Sequence, residues 1–261
     1  MESEDRPIGF FDSGIGGISV LREAVKVLPN EDFVYFGDSK RAPYGVRNVE
    51  QVKELTFNAV EFLLKKNIKA LVIACNTATS AAIIDLRKRY SKYMPVIGIE
   101  PALKPAVEFN RKGKIVIMAT PMTLSEKKFN NLMRKYDKNS IIKPLPCPGL
   151  VELIEQGIIE GKKIEDYLKM KLDPLKDYGI AAVVLGCTHY PFIRKSISKV
   201  LDDDVPIIDG SKGTVEQLKR QLIKYNIVIN NRDRVGNIKI FNSMNSQDII
   251  GLSYKLLRAE N

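Results

Sequence analysis

Short apolar runs bounded by Gly, Asp, Asn or Pro alternate along the chain with amphipathic stretches of helical period. That alternation is the pattern of an α/β protein with largely parallel strands. Strands are expected at Ile8–Phe11, Phe33–Phe36, Ala70–Ala74, Val96–Ile99, Ile115–Ala119, Ile141–Lys143, Ala182–Gly186, Ile207–Asp209 and Lys239–Phe241. Between them, Ile18, Leu21, Val25 and Leu28 recur on one side of a helix, as do Phe129, Leu132, Met133 and Tyr136. In open α/β sheets ligands bind outside the carboxyl ends of the strands. Here those ends read Asp12-Ser13, Gly37-Asp38, Cys75-Asn76-Thr77, Glu100, Thr120, Cys187-Thr188-His189 and Asp209, so polar chemistry gathers where a site belongs.

The chain also echoes itself. "IKALVIACNTA" from Ile68 superposes on "IAAVVLGCTHY" from Ile180, which sets Cys75 and Cys187 at the same place, 112 residues apart. "IGFFDSG" from Ile8 parallels "IVIMATP" from Ile115, and "PVIGIE" from Pro95 parallels "PIID" from Pro206. Two similar α/β halves follow, each with one cysteine at the carboxyl end of a strand. The expected fold is therefore two pseudo-symmetric open parallel-sheet α/β domains with the active site in the cleft between them. The first domain is expected to comprise residues 1–97 with 208–261, and the second residues 98–207.

Composition narrows the classes. A hydrophobic content of 44% and a charged content of 28% are those of an ordinary globular chain. The apolar run Ile180–Cys187 is far shorter than the ~20 residues a bilayer requires. The acidic start "MESEDRP" has no apolar segment behind it, so a soluble, cytoplasmic protein is expected. Net charge is +10, but the basic residues come in scattered pairs such as Lys65-Lys66 and Lys162-Lys163, as on solvated helix faces, and no nucleic-acid motif accompanies them. Neither a membrane nor nucleic acid is an expected partner. Three cysteines without a C-x-x-C pair, and a single histidine, fit neither a disulfide framework nor a structural zinc site.

Cys75 and Cys187 each follow an apolar run instead of lying within it, and polar residues follow each in turn. Two opposed acid/base groups with a carbon between them can invert a stereocentre: one removes a proton from one face while the other delivers a proton to the opposite face. No cofactor is expected, and no metal. A thiol of ordinary pKa ~8.5 is only about 3% thiolate at pH 7, so neighbours must help to form it or manage its proton. Asp12, Asp38, Glu155 and His189 are the candidates. The "DSGIGG" loop lacks the G-x-G-x-x-G spacing, which leaves substrate carboxylate binding or a tight turn. Cys147, between two prolines, reads as structural.

Together, "FFDSGIGGISVL", "GDSKRAPYG", "ACNTATS" and "GCTHYP" resemble the glutamate racemases of the cofactor-independent aspartate/glutamate racemase superfamily, and the similarity runs from about Ile8 to Leu222. The resemblance implies interconversion of L- and D-glutamate, supplying D-glutamate for peptidoglycan, and a homodimer. It sets Cys75 on the D-glutamate face and Cys187 on the L-glutamate face. Substrate contacts are implied for Asp12, Ser13, Pro43, Tyr44, Gly45, Asn76, Thr77, Thr120, Thr188 and His189. It also implies a carboxylate a short helix beyond a Cys-Pro segment; Glu155 has that spacing, and Glu152 lies nearby. The competing readings are an aspartate racemase or another two-cysteine racemase, and, from a different class, a non-catalytic binding or redox protein on the same fold.

Overall fold

Each expected strand forms. The computed structural model describes residues 3–136, 141–201, 204–231 and 233–259. The strands are β1 (Ile8–Asp12), β2 (Phe33–Gly37), β3 (Ala70–Ile73), β4 (Val96–Gly98), β5 (Lys114–Ala119), β6 (Ile141–Pro146), β7 (Ile180–Leu185), β8 (Ile207–Asp209) and β9 (Ile238–Asn242). The chain divides into two compact units, residues up to Glu100 with those from Ser211 onward, and Pro101–Gly210. These breaks fall three residues beyond 97 and 207, because β4 and β8 each stay whole in their own sheet.

The first unit holds a sheet in the order β4-β3-β1-β2-β9 and the second a sheet in the order β6-β5-β7-β8. Every pairing in both is parallel. Matching β1 with β5, β2 with β6, β3 with β7 and β4 with β8 makes the two orders identical, with β9 added at one edge of the first. Three of these pairs, β1 with β5, β3 with β7 and β4 with β8, are those that the internal echo aligned, and the pairing of β2 with β6 follows from the strand orders.

Burial on both faces explains why the strands read as unbroken apolar runs. In the second unit, Val116 and Met118 of β5 pack with Val183 and Leu185 of β7 in one core. Ile115 and Ile117 pack with Ala182 and Val184 in another, on the opposite face. β6 runs three residues past the expected Lys143, through Pro144 and Pro146. It is an edge strand, hydrogen-bonded to β5 alone, where proline's missing N–H is tolerated.

The first unit carries a buried ion pair that the scattered charges did not suggest. Lys69, fully buried just before β3, places Nζ 2.6 Å from Glu31 Oε2 and donates to the carbonyls of Glu4 and Ile227 at 2.6 and 2.8 Å. Glu31 Oε1 accepts the Ile229 N–H at 2.9 Å. Burial pulls the Lys69 ammonium below its usual pKa, against the pull of Glu31. Removing one partner strands the other charge, at a cost of about 3–5 kcal/mol. Lys69→Ala should therefore lower the urea unfolding free energy by that amount; a loss under about 1 kcal/mol would contradict the role given to the pair. Among the described residues no helix is long and apolar enough to cross a membrane.

Candidate active site

In the first unit, sheet register sets the candidate residues side by side. Asp12 ends β1 opposite Gly37 of β2, and Phe11 pairs with Ile73 of β3, so Asp12, Asp38 and Cys75 leave adjacent strand ends. Asp12 is fully buried, and its Oδ1 accepts the Gly14 N–H at 2.8 Å, an Asx turn that opens the glycine loop. Close approach accounts for two glycines. A Cβ on Gly17 would come within 2.6 Å of Asp12 Cβ, and one on Gly37 within 2.4 Å of the Gly14 carbonyl.

Cys75 is the N-cap of the helix Asn76–Tyr90. Its sulfur accepts the Ala78 N–H at 3.4 Å, and its thiol donates to Ser13 Oγ at 3.5 Å. The Ala78 N–H and the dipole of this helix favour the thiolate. Asn76 and Thr77 are buried in its first turn. Asn76 Oδ1 has no hydrogen-bond partner among the described residues. A buried acceptor of that kind is costly unless a ligand supplies a donor.

Asp38 is bonded on both carboxylate oxygens. Its Oδ2 accepts the Tyr44 hydroxyl at 2.7 Å and its Oδ1 accepts from Arg41 at 3.0 Å. The Tyr44 ring lies 6.2 Å from that of Phe11, centroid to centroid. Burial, and then the Asp38 charge, hold the Tyr44 phenol well above its usual pKa, so it stays a neutral donor. Pro43 and Gly45 flank Tyr44 in the same turn.

In the second unit, Thr120 follows β5, accepts the Thr123 N–H at 3.3 Å and donates to Thr123 Oγ1 at 2.9 Å. Cys147 follows β6, the position that Asp38 holds after β2. Burial pushes its thiol up to about 12, which keeps it protonated and structural at neutral pH. Cys187 follows β7 by the same two-residue step as Cys75 follows β3. Its sulfur stands 3.7 Å from His189 Nδ1, and His189 Nε2 stands 2.6 Å from Glu155 Oε1. Thr188 and His189 are both buried. Burial by itself lowers the imidazole's pKa, but hydrogen bonds to Cys187 and Glu155, with the charges of those two groups, outweigh it and hold His189 well above its usual value. Between the two carboxylates left open by the sequence, Glu155 is the one that pairs with His189.

The two halves thus support their thiols by different means. Cys75 sits on the first turn of a fifteen-residue helix, whereas Cys187 leads through Thr188 and His189 into the short 3-10 turn Tyr190–Ile193. A chain of contacts from Cys187 through His189 to Glu155 stands where the helix end stands in the first unit.

The sequence profile of the Asp/Glu/Hydantoin racemase family matches residues 16–218. The chain belongs to this family. Full-length racemase relatives include the glutamate racemase of Clostridium kluyveri, 79% identical over 258 residues that cover 99% of this chain and 100% of the relative. That of Clostridium novyi is 65% identical, over 98% and 99%. Among solved structures, the glutamate racemase of Francisella tularensis in complex with D-glutamate superposes with a TM-score of 0.84 at 31% identity, covering 98% of this chain and 95% of that one. A Bacillus anthracis glutamate racemase isoform gives 0.88 at 32%, covering 98% and 96%. Two contacts in this racemase were not foreseen, Ser13 with the Cys75 thiol and Asp38 with Tyr44. The second was within reach of the sequence, since both residues lie in the one motif "GDSKRAPYG".

Proposed function

We propose that this chain interconverts L- and D-glutamate by removing and returning the α-proton through two thiols. The observation that carries the reading is the occurrence of Cys75 and Cys187 at the same step beyond equivalent strands, each with its own means of forming a thiolate. Cys187 takes the α-proton of L-glutamate and Cys75 returns one to the opposite face; the roles exchange for D-glutamate. Each thiol begins a turnover in the protonation state in which the other ends it, and no redox change occurs. His189, held positive to unusually high pH, stabilises the Cys187 thiolate, and Glu155 holds the imidazole in place.

The binding roles follow from residue chemistry. Backbone N–H groups and hydroxyls around Ser13, Asn76, Thr77 and Thr188 suit the carboxylates of glutamate and the negative charge that builds on the α-carboxylate as the proton leaves. Asn76 Oδ1 and Asp12 suit the α-ammonium, and the unpartnered Asn76 oxygen supports that assignment. Thr120, Pro43, Tyr44 and Gly45 complete the substrate contacts. The Francisella relative bound to D-glutamate supports glutamate as the substrate. We place the reaction in the cytoplasm of a peptidoglycan-building cell and in a homodimer.

The test is polarimetry of purified chain with each enantiomer of glutamate and of aspartate, with no cofactor added. Glutamate should lose its rotation from either side at rates at least about 100-fold above aspartate, whose shorter chain places its second carboxylate one methylene away from its donors. Preference for aspartate would overturn the substrate assignment. Inversion of neither would overturn the enzymatic reading.

A further inference from the structure

The last of the motifs ends at Pro191, yet the chain returns to the candidate site long after that point. β9 pairs with β2 so that Asn242 stands opposite Gly37. The turn that follows is bonded to the loop leading to Tyr44. The Ser243 N–H donates to the Gly37 carbonyl at 2.9 Å, the Lys40 N–H donates to Ser243 Oγ at 3.0 Å, and Asn242 Nδ2 donates to Ser39 Oγ at 2.9 Å. Asn242 is itself fixed, because its Oδ1 accepts the Met244 N–H at 2.9 Å and its carbonyl accepts the Asn245 N–H at 3.0 Å. Asn245 adopts the left-handed conformation, φ 50°, that closes this turn.

We propose that Asn242 and Ser243 are positioning residues for the Asp38–Tyr44 loop, through which the C-terminal segment sets the affinity for substrate. The proposal rests on the glutamate racemase reading for what the loop binds. Asp38 reaches Tyr44 across five intervening residues, and the Asp38 N–H is tied to the Asp12 carbonyl at 3.0 Å on one side. On the other side the loop backbone is anchored to the 242–243 turn. With that anchor released, the ordered loop becomes one of several conformations, and substrate must select it. Selection of that kind weakens binding in the ground and transition states alike, so it raises KM and spares kcat.

The experiment joins backbone hydrogen exchange, read by mass spectrometry without substrate, to steady-state kinetics on the full chain. Wild type, Asn242→Ala, Ser243→Ala and Ser243→Thr are compared. Ser243 lies in a turn, so its alanine variant is expected to fold. In both alanine variants exchange over residues 39–46 should speed up roughly tenfold, with β1 and β3 unchanged, and KM for both enantiomers should rise about 3–10-fold with kcat within about twofold. Ser243→Thr keeps the hydroxyl and should restore both readouts. Adding Ser243→Ala to Tyr44→Phe should raise KM by less than it does alone, because the two act through one loop. Unchanged exchange over 39–46 in both alanine variants overturns the proposal, as does a loosened loop with unaltered KM. The exchange readout decides the brace even for a chain that inverts no glutamate, a result that counts against the functional reading alone.

Discussion

Cys75→Ala and Cys187→Ala are each expected to lower racemisation by about 10⁴-fold or more, the upper end of what a positioned acid/base group contributes. The two enantiomers have equal free energy, so kcat/KM must fall by the same factor in both directions whichever thiol is lost. The thiols are distinguished by exchange without inversion. With Cys75 removed, Cys187 still takes the α-proton of L-glutamate, and in D₂O it returns a deuteron to the same face. L-Glutamate therefore gains deuterium and keeps its configuration, while D-glutamate is inert. Cys187→Ala should show the reverse. Proton NMR of the α-position with chiral analysis reads both outcomes, and a single variant that still inverts at near the wild-type rate would exclude its thiol from the reaction. Cys147→Ala is the control: its thiol, pushed up to about 12 by burial, takes no part in proton transfer.

His189→Asn is expected to have the next largest effect, a fall in kcat/KM of about 10²–10⁴-fold, again equal in both directions. Its signature is one-sided: α-exchange of L-glutamate, which depends on Cys187, slows with it, while exchange of D-glutamate through Cys75 is largely retained. Glu155→Gln should be milder and should act on the pH profile. Two of the influences that raise the His189 pKa come from Glu155, its hydrogen bond and its charge. Without them the imidazolium loses its proton at lower pH, so the alkaline limb of kcat/KM moves toward acid. An alkaline limb that stays in place would contradict the part given to Glu155. The same shift bears on stability. A histidine whose folded pKa is raised contributes stability that is fully present below its unfolded pKa of ~6.5 and is lost as pH rises through the folded value. The His189–Glu155 contribution should therefore be full at pH 6 and decline on the alkaline side, and the difference in unfolding free energy between wild type and Glu155→Gln should shrink there.

The architecture was legible because its physics is local. Strands buried on both faces by helices must be nearly apolar throughout, and this marked β1, β3, β5 and β7 most plainly. The duplication was legible because two halves with one strand order repeat the same apolar run ahead of each cysteine. Less visible was anything decided by pairing across the chain. Lys69 in "NIKALVI" looks like any surface lysine, and only the fold brings Glu31, Glu4 and Ile227 around it. Pro144 and Pro146 read as a strand's end, and edge placement lets β6 run through them. Asp38 stood among the candidates for managing a thiol's proton, and its bonds to Tyr44 and Arg41 were not foreseen. The turn at Asn242 belongs to no motif; its place beside β2 follows from one strand pairing formed across about 200 residues.

The most direct test of two-thiol proton transfer is the isotopic fate of the α-hydrogen in the first few per cent of turnover. Protiated L-glutamate is given to the wild-type chain in D₂O with no added cofactor. The D-glutamate formed should carry solvent deuterium at the α-carbon from the first measurable product, while the remaining L-glutamate stays mostly protiated, because one thiol keeps the substrate's proton and the other supplies the solvent's. D-Glutamate that retains the original protium would show a single base carrying the proton from face to face, and would contradict the two-thiol account.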